Sequence, residues 1–221
     1  MRRWGIALAM LAVPTVAHCQ DHDPQIWTYG TITAPVADKT RIGFETVHRY
    51  SGDQQAIYED QYIFTVQREI AKGVFVTIGY NRVVSSRNGD VTATEHRPRE
   101  MITFPVTKLG KLSIIGRVRA EQRFRSDDGE DGHRLRAEWR FDYPLARKGY
   151  VVRYMHEDYL NLNTTGFQRA GHERMRNALS LFIPAGKAKL ELGYMNQWRF
   201  NRAPRRDLME HGLLAGVSLA L

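Results

Sequence analysis

The sequence predicts an all-β fold: an up-and-down antiparallel transmembrane β-barrel of ten strands, with twelve strands as the alternative. Three observations carry this prediction. Polar and apolar residues alternate strictly along the candidate strands. The strands are about 9 to 13 residues long, whereas strands of soluble proteins usually have about 5 or 6. Short connections alternate with longer ones, which is typical of a barrel in an outer membrane.

The clearest alternation lies in the stretch Lys111–Tyr143, where two strand patterns are joined by an acidic turn (RSDDGEDG). One face of each strand is apolar and ends in aromatic residues, whereas the other face consists almost entirely of Arg and Glu. Pairing Glu121 with Arg136 and Arg119 with Glu138 would form two pairs of opposite charge on the polar face. We therefore expect this register in the hairpin.

The chain begins with the pattern of a signal peptide, which we assign to residues 1–19. Arg2 and Arg3 form the positive region, and Gly5–Val16 is an apolar stretch too short to span a bilayer securely. Small residues then precede a mature start near Gln20. An N-terminal helix or anchor is the alternative.

The single cysteine, Cys19, leaves the mature protein without an internal disulfide. Acylation of Cys19 is an alternative, although His18 before it does not suit a lipoprotein site. Removal of the signal peptide lowers the formal net charge from +8 to +6, because Arg2 and Arg3 leave without an acid. The remaining arginines alternate with glutamates along strands and the chain is exported, so we expect no nucleic-acid partner.

Eleven segments carry strand patterns, and no segment has a convincing amphipathic helix pattern. The candidate strands are Gln25–Thr33, Thr40–Arg49, Gln61–Ile70, Gly73–Val83, Thr94–Val106, Lys111–Phe124, His133–Tyr143, Tyr150–Tyr159, Arg174–Ile183, Lys187–Arg199 and His211–Leu221. Single-chain bacterial barrels have an even number of strands. We therefore expect residues 40–221 to form a ten-stranded barrel domain. Residues 20–39 are then an N-terminal segment with an extra strand that pairs at the seam, folds under the barrel or belongs to a further hairpin.

The connections between the candidate strands fall into two classes. The short ones are Ala71-Lys72, Thr107–Gly110, Leu145–Gly149 and Pro184–Gly186. The longer ones are Ser51–Asp60, Val84–Ala93, Arg125–Gly132, Leu160–Glu173 and Phe200–Glu210. If the last strand ends at the periplasmic side, the short connections are periplasmic turns and the longer ones are outer loops.

The aromatic residues favour a membrane barrel over a soluble periplasmic β-barrel, in which the apolar face would form the core. Aromatic side chains near the strand ends of the apolar face are typical of the girdles at membrane interfaces. The predicted lipid-facing girdle contains Tyr62, Tyr80, Phe104, Phe124, Tyr143, Tyr150 and Trp198.

Several motifs together resemble a known bacterial family. They are Glu95-His96-Arg97-Pro98, Arg117–Phe124, His133–Arg136, Tyr154–Asn163, Arg174–Asn177 and Leu192–Met195. The chain resembles the family called domain of unknown function 2490 from about Trp27 to Leu221. The resemblance implies an exported β-barrel of Gram-negative outer membranes, inserted by the barrel-assembly machinery, with no established activity or ligand. The final residue, Leu221, departs from the aromatic residue with which such barrels usually end.

The polar face predicts a charged lumen. Its predicted members are Arg41, Glu45, Glu95, Arg97, Arg99, Arg117, Arg119, Glu121, Arg123, Arg134, Arg136, Glu138, Arg140, Arg153, Glu157, Arg174, Arg176 and Glu191. Arginine stays charged, so each one needs a carboxylate or water. We expect a largely filled lumen in which salt bridges serve a structural role. Because arginines outnumber glutamates in this set, the alternative is a narrow anion-selective channel or a binding barrel for an acidic small molecule.

A hydrolase at the rim of the barrel is a further alternative, although we expect no enzyme. Its one candidate cluster is His156-Glu157-Asp158, with Asp127, Asp128 and His172 as neighbours. The plausible inward serines (Ser113, Ser180 and Ser218) lie toward the other end. The acidic turn does not match the spacing of a calcium loop, and we expect no metal and no cofactor.

The expected partners follow from the location. They are the lipid of the outer membrane and, for the outer loops, the phosphates of lipopolysaccharide. The loop residues suited to such phosphates are Arg169, His172, Arg205 and Arg206. No pattern in the sequence indicates an oligomeric state.

Overall fold

The computed structural model describes residues 21–200 and 207–221, and this part of the chain contains strands and no helix. The predicted signal peptide, Cys19, Arg205 and Arg206 lie outside the described residues. The strands are β1 (Asp21–Ala37), β2 (Thr40–Ser51), β3 (Ala56–Ala71), β4 (Val74–Arg87), β5 (Asp90–Leu109), β6 (Leu112–Arg125), β7 (Gly132–Pro144), β8 (Val151–Asn161), β9 (Gly171–Ala185), β10 (Ala188–Arg199) and β11 (Leu208–Ala220). Among the described residues, no helix is long and apolar enough to span a membrane.

The eleven described strands form one closed barrel, so the all-β barrel is confirmed and the prediction of ten strands is wrong. The segment left over in the sequence is β1, which pairs with β2 in antiparallel orientation and with β11 in parallel orientation. The parallel pairing runs from Asp21 opposite Leu208 to Thr33 opposite Ala220. An unpaired β11 would expose a row of backbone donors and acceptors, and β1 removes that edge. An even number of strands is required only when the closing pair is antiparallel.

The two ends of the barrel differ in their connections. At one end, the turn end, the strands are joined by residues 38–39, 72–73, 110–111, 145–150 and 186–187. At the other, the loop end, the connections are 52–55, 88–89, 126–131, 162–170 and 200–207. The longer connection expected at Val84–Ala93 is wrong, because β4 and β5 continue to a two-residue turn. Asn88 and Gly89 both have positive φ there, 54° and 90°, as the commonest tight hairpin turns require.

The register of β6 and β7 also differs from the prediction. Glu121 lies opposite Arg134, and Arg119 lies opposite Arg136, two residues away from the expected pairing. A shift by two residues keeps every side chain on its face, so the alternation could not distinguish these registers. Glu121 still binds Arg136 diagonally, at 2.9 Å.

Side chains alternate between the lumen and the outer surface along each strand. The lumen is mainly polar, and the described strands contribute one small apolar cluster to it: Trp27, Ala178 and Met195, with Met155 and Leu214 packed against them. Large apolar side chains such as Phe64, Ile78 and Leu213 are exposed on the outer surface. The barrel therefore places its charges inside and its apolar residues outside.

Candidate functional site

The lumen contains a cavity of about 1330 Å³. Its lining includes Arg87 and Thr92 beside the turn at the loop end, and Arg41 and Ser218 close to the turn end. The cavity therefore extends along most of the barrel. It is larger than the roughly 300 to 1,000 Å³ of a typical small-molecule pocket.

The structure brings the predicted lumen residues together around this cavity. Of the eighteen, all line it except Glu121, which is 1% exposed and lies beneath the arginines that it binds. The sequence analysis missed several further lining residues: Arg49, Glu59, Arg87, Arg125, Glu173 and Arg199. Arg49 and Glu59 lie opposite each other and continue the alternation of β2 and β3. Glu59 was missed because the sequence analysis assigned it to the connection Ser51–Asp60.

The charges of the lining are unevenly distributed. Among the described residues, sixteen arginines and eight acidic residues line the cavity. Twelve of these arginines belong to β5 through β9, and we call the lumen face of these five strands the arginine wall. The arginine wall is therefore the main source of positive charge in the lumen.

Glu121 is the central acceptor of the arginine wall. Its carboxylate accepts hydrogen bonds from Arg134 at 2.6 Å and from Arg136 at 2.9 Å, and Arg119 lies 3.5 Å away. Three guanidinium groups thus surround one buried carboxylate. Removing one partner from such a buried cluster leaves uncompensated charge.

Glu157 extends this network through Arg136, and Glu95 forms a second one. Arg136 also donates to both oxygens of Glu157, and Arg176 lies 3.5 Å from Glu157. Glu95 accepts from Arg97 at 2.8 Å and from Arg123 at 2.6 Å. Shared carboxylates therefore connect neighbouring strands across the wall.

Aromatic rings give the arginines additional contacts. The Tyr159 ring lies within 4.3 to 5.3 Å of four guanidinium carbons, those of Arg134, Arg136, Arg174 and Arg176. Cation–π attraction of this kind stabilises cations removed from water. These contacts help to hold the four arginines close together around one ring.

The opposite side of the lumen, formed by β1, β2, β10 and β11, is the small-residue wall. Its inward positions include Gly43, Gly193, Gly212 and Gly216. At Gly216 an added Cβ would overlap the Tyr29 ring. Glycine is required here because the aromatic side chain packs directly on the backbone of the closing strand.

Near the loop end, the seam between β1 and β11 carries a buried polar network. Gln25 donates to Asp23 at 2.8 Å and to Glu210 at 2.9 Å, and the Trp27 indole donates to Gln25 at 2.6 Å. Ser51 of β2 donates to Asp23 at 2.9 Å. The hydrogen bond from Gln25 to Glu210 crosses the parallel closure, and the others satisfy the buried polar groups beside it.

The connection of residues 162–170 partly covers the loop end of the cavity. Gln168 accepts a hydrogen bond from Arg123 at 3.0 Å, and the Phe167 ring lies 4.8 Å from the Arg123 guanidinium carbon. Phe167 also lies 5.1 Å from Arg125. The connection therefore packs on the arginine wall.

The rim of the barrel also holds an exposed ion pair. Arg125 donates two hydrogen bonds to Asp127, at 2.8 and 2.7 Å. These hydrogen bonds from Arg125 hold the pKa of the Asp127 carboxyl below its usual value.

The predicted girdle residues lie on the outer surface or beside it. Phe124, Tyr143 and Trp198 lie next to the last residues of β6, β7 and β10, and Tyr150 immediately precedes β8. Phe104 lies further from a strand end, and Tyr62 and Tyr80 lie near the middle of their strands.

The loop-end half of the outer surface carries histidines. His48 lies 2.6 Å from Asp60, and Tyr80 contacts His96. His211 lies 2.5 Å from the Tyr194 hydroxyl. The outer surface therefore changes from apolar to mixed aromatic and polar toward the loop end.

The barrel wall divides the cluster suggested for a hydrolase. Glu157 lines the cavity, whereas His156 and Asp158 lie on the outer surface. Asp158 lies between His156 and His172, 2.9 Å from each. In the described part of the chain, no group of three or more His, Cys, Asp or Glu could hold a metal ion.

Comparison with known proteins agrees with the resemblance seen in the sequence. The profile of the family described as “Protein of unknown function (DUF2490)” matches residues 24–208. A relative from Methylorubrum extorquens, described as uncharacterized protein MexAM1_META1p0181, is 29% identical over 181 residues, which cover 79% of this chain and 78% of the relative. A solved structure described as the NanC porin superposes with a TM-score of 0.56 at 15% identity, covering 90% of this chain and 99% of the porin. At this identity the porin supports the barrel fold alone.

Proposed function

The chain belongs to the DUF2490 family, which is described as “Protein of unknown function”, and we propose its role from the barrel itself. It is an exported β-barrel of the bacterial outer membrane, and its arginine-lined lumen admits small anions. The observation that carries this proposal is the cavity of about 1330 Å³ lined by sixteen arginines.

The outer surface supports membrane insertion. Phe64 is 57% exposed, Ile78 is 64% exposed and Leu213 is 61% exposed. Soluble monomers rarely expose large contiguous apolar patches, whereas lipid covers such a surface without cost. The strands contain 11 to 20 residues, and about 9 to 11 are needed to cross a bilayer. The barrel is therefore long enough to place its loop end outside the cell and its turn end in the periplasm.

The charge of the lumen supports anion entry. Rings of arginine favour anions in pores because the guanidinium groups lower the electrostatic energy of a negative charge. The excess of arginine over acidic residues remains after the ion pairs of the wall are formed, and the cavity leaves room for water. The structural neighbour is named a porin, which agrees with a conducting barrel.

A structural role is the second candidate, and a specific observation favours it. Most arginines of the loop-end half are bound by carboxylates, one group by Glu95 and another by Glu121 and Glu157, and residues 162–170 partly cover that end. In this alternative the ion pairs maintain the shape of the barrel. The partners of the protein are then the lipid and the lipopolysaccharide of the outer membrane. Neither candidate function involves catalysis or a cofactor.

Fractionation and planar-bilayer recording separate these candidates. We expect the mature protein to fractionate with outer membranes, to show heat-modifiable gel mobility and to conduct with a reversal potential that indicates anions. Replacing Arg117 by Gln in the lumen should lower the anion selectivity. The matched variant Arg82→Gln removes the same charge from the exposed outer surface and should leave the selectivity unchanged. Absence of conductance would favour the structural role, and a soluble protein would overturn both candidates.

A further inference from the structure

One group of arginines on the arginine wall lacks the close carboxylates that neutralise the charge of the others. Most have a close carboxylate: Arg134 lies 2.6 Å from Glu121, and Arg153 donates to both oxygens of Asp142 at 2.6 and 2.7 Å. Arg99 is only 7% exposed, yet no described carboxylate forms an ion pair with it, and its Nε has no hydrogen-bond partner.

Arg117 and Arg119 continue this group along β6. Arg119 lies 3.5 Å from its nearest carboxylate, that of Glu121, and its Nε donates to the Met101 sulfur. Arg117 lies 3.7 Å from Glu138, and its Nε donates to Thr103. These distances are too long for hydrogen bonds. The terminal nitrogens of both arginines therefore have N–H groups that these carboxylates do not accept.

The register of the strands places the three guanidinium groups next to one another. Arg99 lies opposite Glu121, and the next inward positions of β5, Met101 and Thr103, lie opposite Arg119 and Arg117. All three arginines line the cavity. Three adjacent cations thus face the same stretch of the lumen.

A glycine holds Arg99 in place. Gly79 of β4 lies opposite Arg99, and a Cβ added there would be 3.0 Å from the Arg99 Nε and 3.2 Å from its Cγ. The side chain of Arg99 therefore lies directly against the β4 backbone. This contact removes water from one side of the guanidinium and orients it without neutralising it.

An unpaired buried cation is costly, and the free energy falls when an anion supplies the missing acceptors. The fork of a guanidinium group matches the two oxygens of a carboxylate or a phosphate. We propose that Arg99, Arg117 and Arg119 form a binding subsite in the lumen for a small anion that carries a carboxylate or phosphate group. This inference rests on the proposed function, because it assigns the place where a permeating anion pauses.

The test measures binding and block on the purified, detergent-folded barrel with two probes, citrate and inorganic phosphate. Calorimetry reports the dissociation constant, and planar-bilayer recording reports block of the chloride current by the same probes. We expect Arg99→Gln to raise the dissociation constant about tenfold or more, since a hydrogen bond to a charged group is lost. Arg99→Lys, which keeps the charge and loses the fork, should fall between this variant and the parent protein.

Arg153→Gln is the matched control, because it removes the same charge from the lumen at an arginine that Asp142 already holds. It should raise the dissociation constant less than about threefold. Heat-modifiable mobility confirms that each variant is folded. Equal weakening by Arg99→Gln and Arg153→Gln would overturn the subsite, since net charge alone would then explain binding.

The two proposals fail in different ways. A barrel that conducts chloride but binds neither probe overturns the subsite and leaves the proposed function intact. A barrel that does not conduct but binds citrate, with loss of binding in Arg99→Gln, overturns the conduit and supports the subsite.

Discussion

The arginine wall and the small-residue wall face each other across one cavity, and they are held in place by opposite means. In the arginine wall, long charged side chains fill the space and share buried carboxylates such as Glu121. In the small-residue wall, glycines let neighbouring side chains approach the backbone, as Tyr29 approaches Gly216. Removing a charge should therefore lower the stability of the first wall, and adding volume should lower the stability of the second.

The largest effect is expected when a glutamate of the arginine wall is replaced by glutamine, with the same substitution on the small-residue wall as the control. Glu121→Gln removes the shared acceptor of Arg134 and Arg136, which leaves buried positive charge uncompensated. We expect the free energy of unfolding to fall by about 3 kcal/mol. The measurement is urea unfolding of the folded barrel in detergent, followed by tryptophan fluorescence.

Glu191→Gln is the control for this prediction. Glu191 lines the cavity on the small-residue wall, and no ion pair with it is found among the described residues. Because its replacement breaks no ion pair and removes a partly buried charge, it should not lower the free energy of unfolding. Equal losses in both variants would mean that the two walls do not differ in their dependence on charge.

The second effect concerns volume. Gly216→Ala forces the Tyr29 ring away from the closing strand, and overpacking of this kind costs about 1 to 3 kcal/mol. Gly129→Ala adds the same methyl group in open space at the loop end and should leave the stability unchanged. The same urea titration measures both variants.

A double variant sharpens this test. If the cost of Gly216→Ala arises from the Tyr29 ring, adding Tyr29→Ala should recover part of the lost stability. Strictly additive losses in the double variant would show that the ring is not the obstacle.

The smallest effect is expected at the rim. Asp127→Asn removes the exposed partner of Arg125, and such pairs contribute about 0.5 kcal/mol or less. Because the pKa of Asp127 is lowered in the folded barrel, its contribution is present above the usual aspartate value of about 3.9. The contribution disappears as the pH falls through the lowered folded value.

Unfolding of the parent and of Asp127→Asn between pH 3 and 7 measures this difference. The two stabilities should converge toward the acid end. A gap that widens as the pH falls would contradict the assigned ion pair.

The alternation of residues was enough to predict much of the site. It placed Arg97, Arg119 and Glu157 on one face, and the structure has all three beside the cavity. It missed Arg49 and Glu59, which lie at the loop-end limits of the candidate strands. Arg49 is the last residue of the candidate strand Thr40–Arg49, and Glu59 falls in the connection expected at Ser51–Asp60, although β3 begins at Ala56. The hydrolase alternative grouped His156 with Glu157 because they are adjacent in sequence, although adjacent residues of a strand lie on opposite sides of the barrel wall.

A turn between two strands can carry a local signal that is independent of the alternation. The dipeptide Asn88-Gly89 is a strong hairpin signal, and its positive φ angles form the tight turn between β4 and β5. This dipeptide by itself predicts a shorter connection than the one expected at Val84–Ala93. The acidic turn between β6 and β7 was different, because its composition permits several registers of the same parity.

The sequence by itself determined the fold class, the two faces of each strand and the family, because these depend on local alternation and on motifs. The tertiary structure decided how the barrel closes, since alternation does not specify whether β1 pairs with β11, or in which direction. It also decided which arginines have partners. Glu121 binds Arg134 and Arg136 but leaves Arg99 without a carboxylate, although Arg99 lies opposite it in register. A face is a property of one strand, whereas an ion pair depends on the register and direction of two.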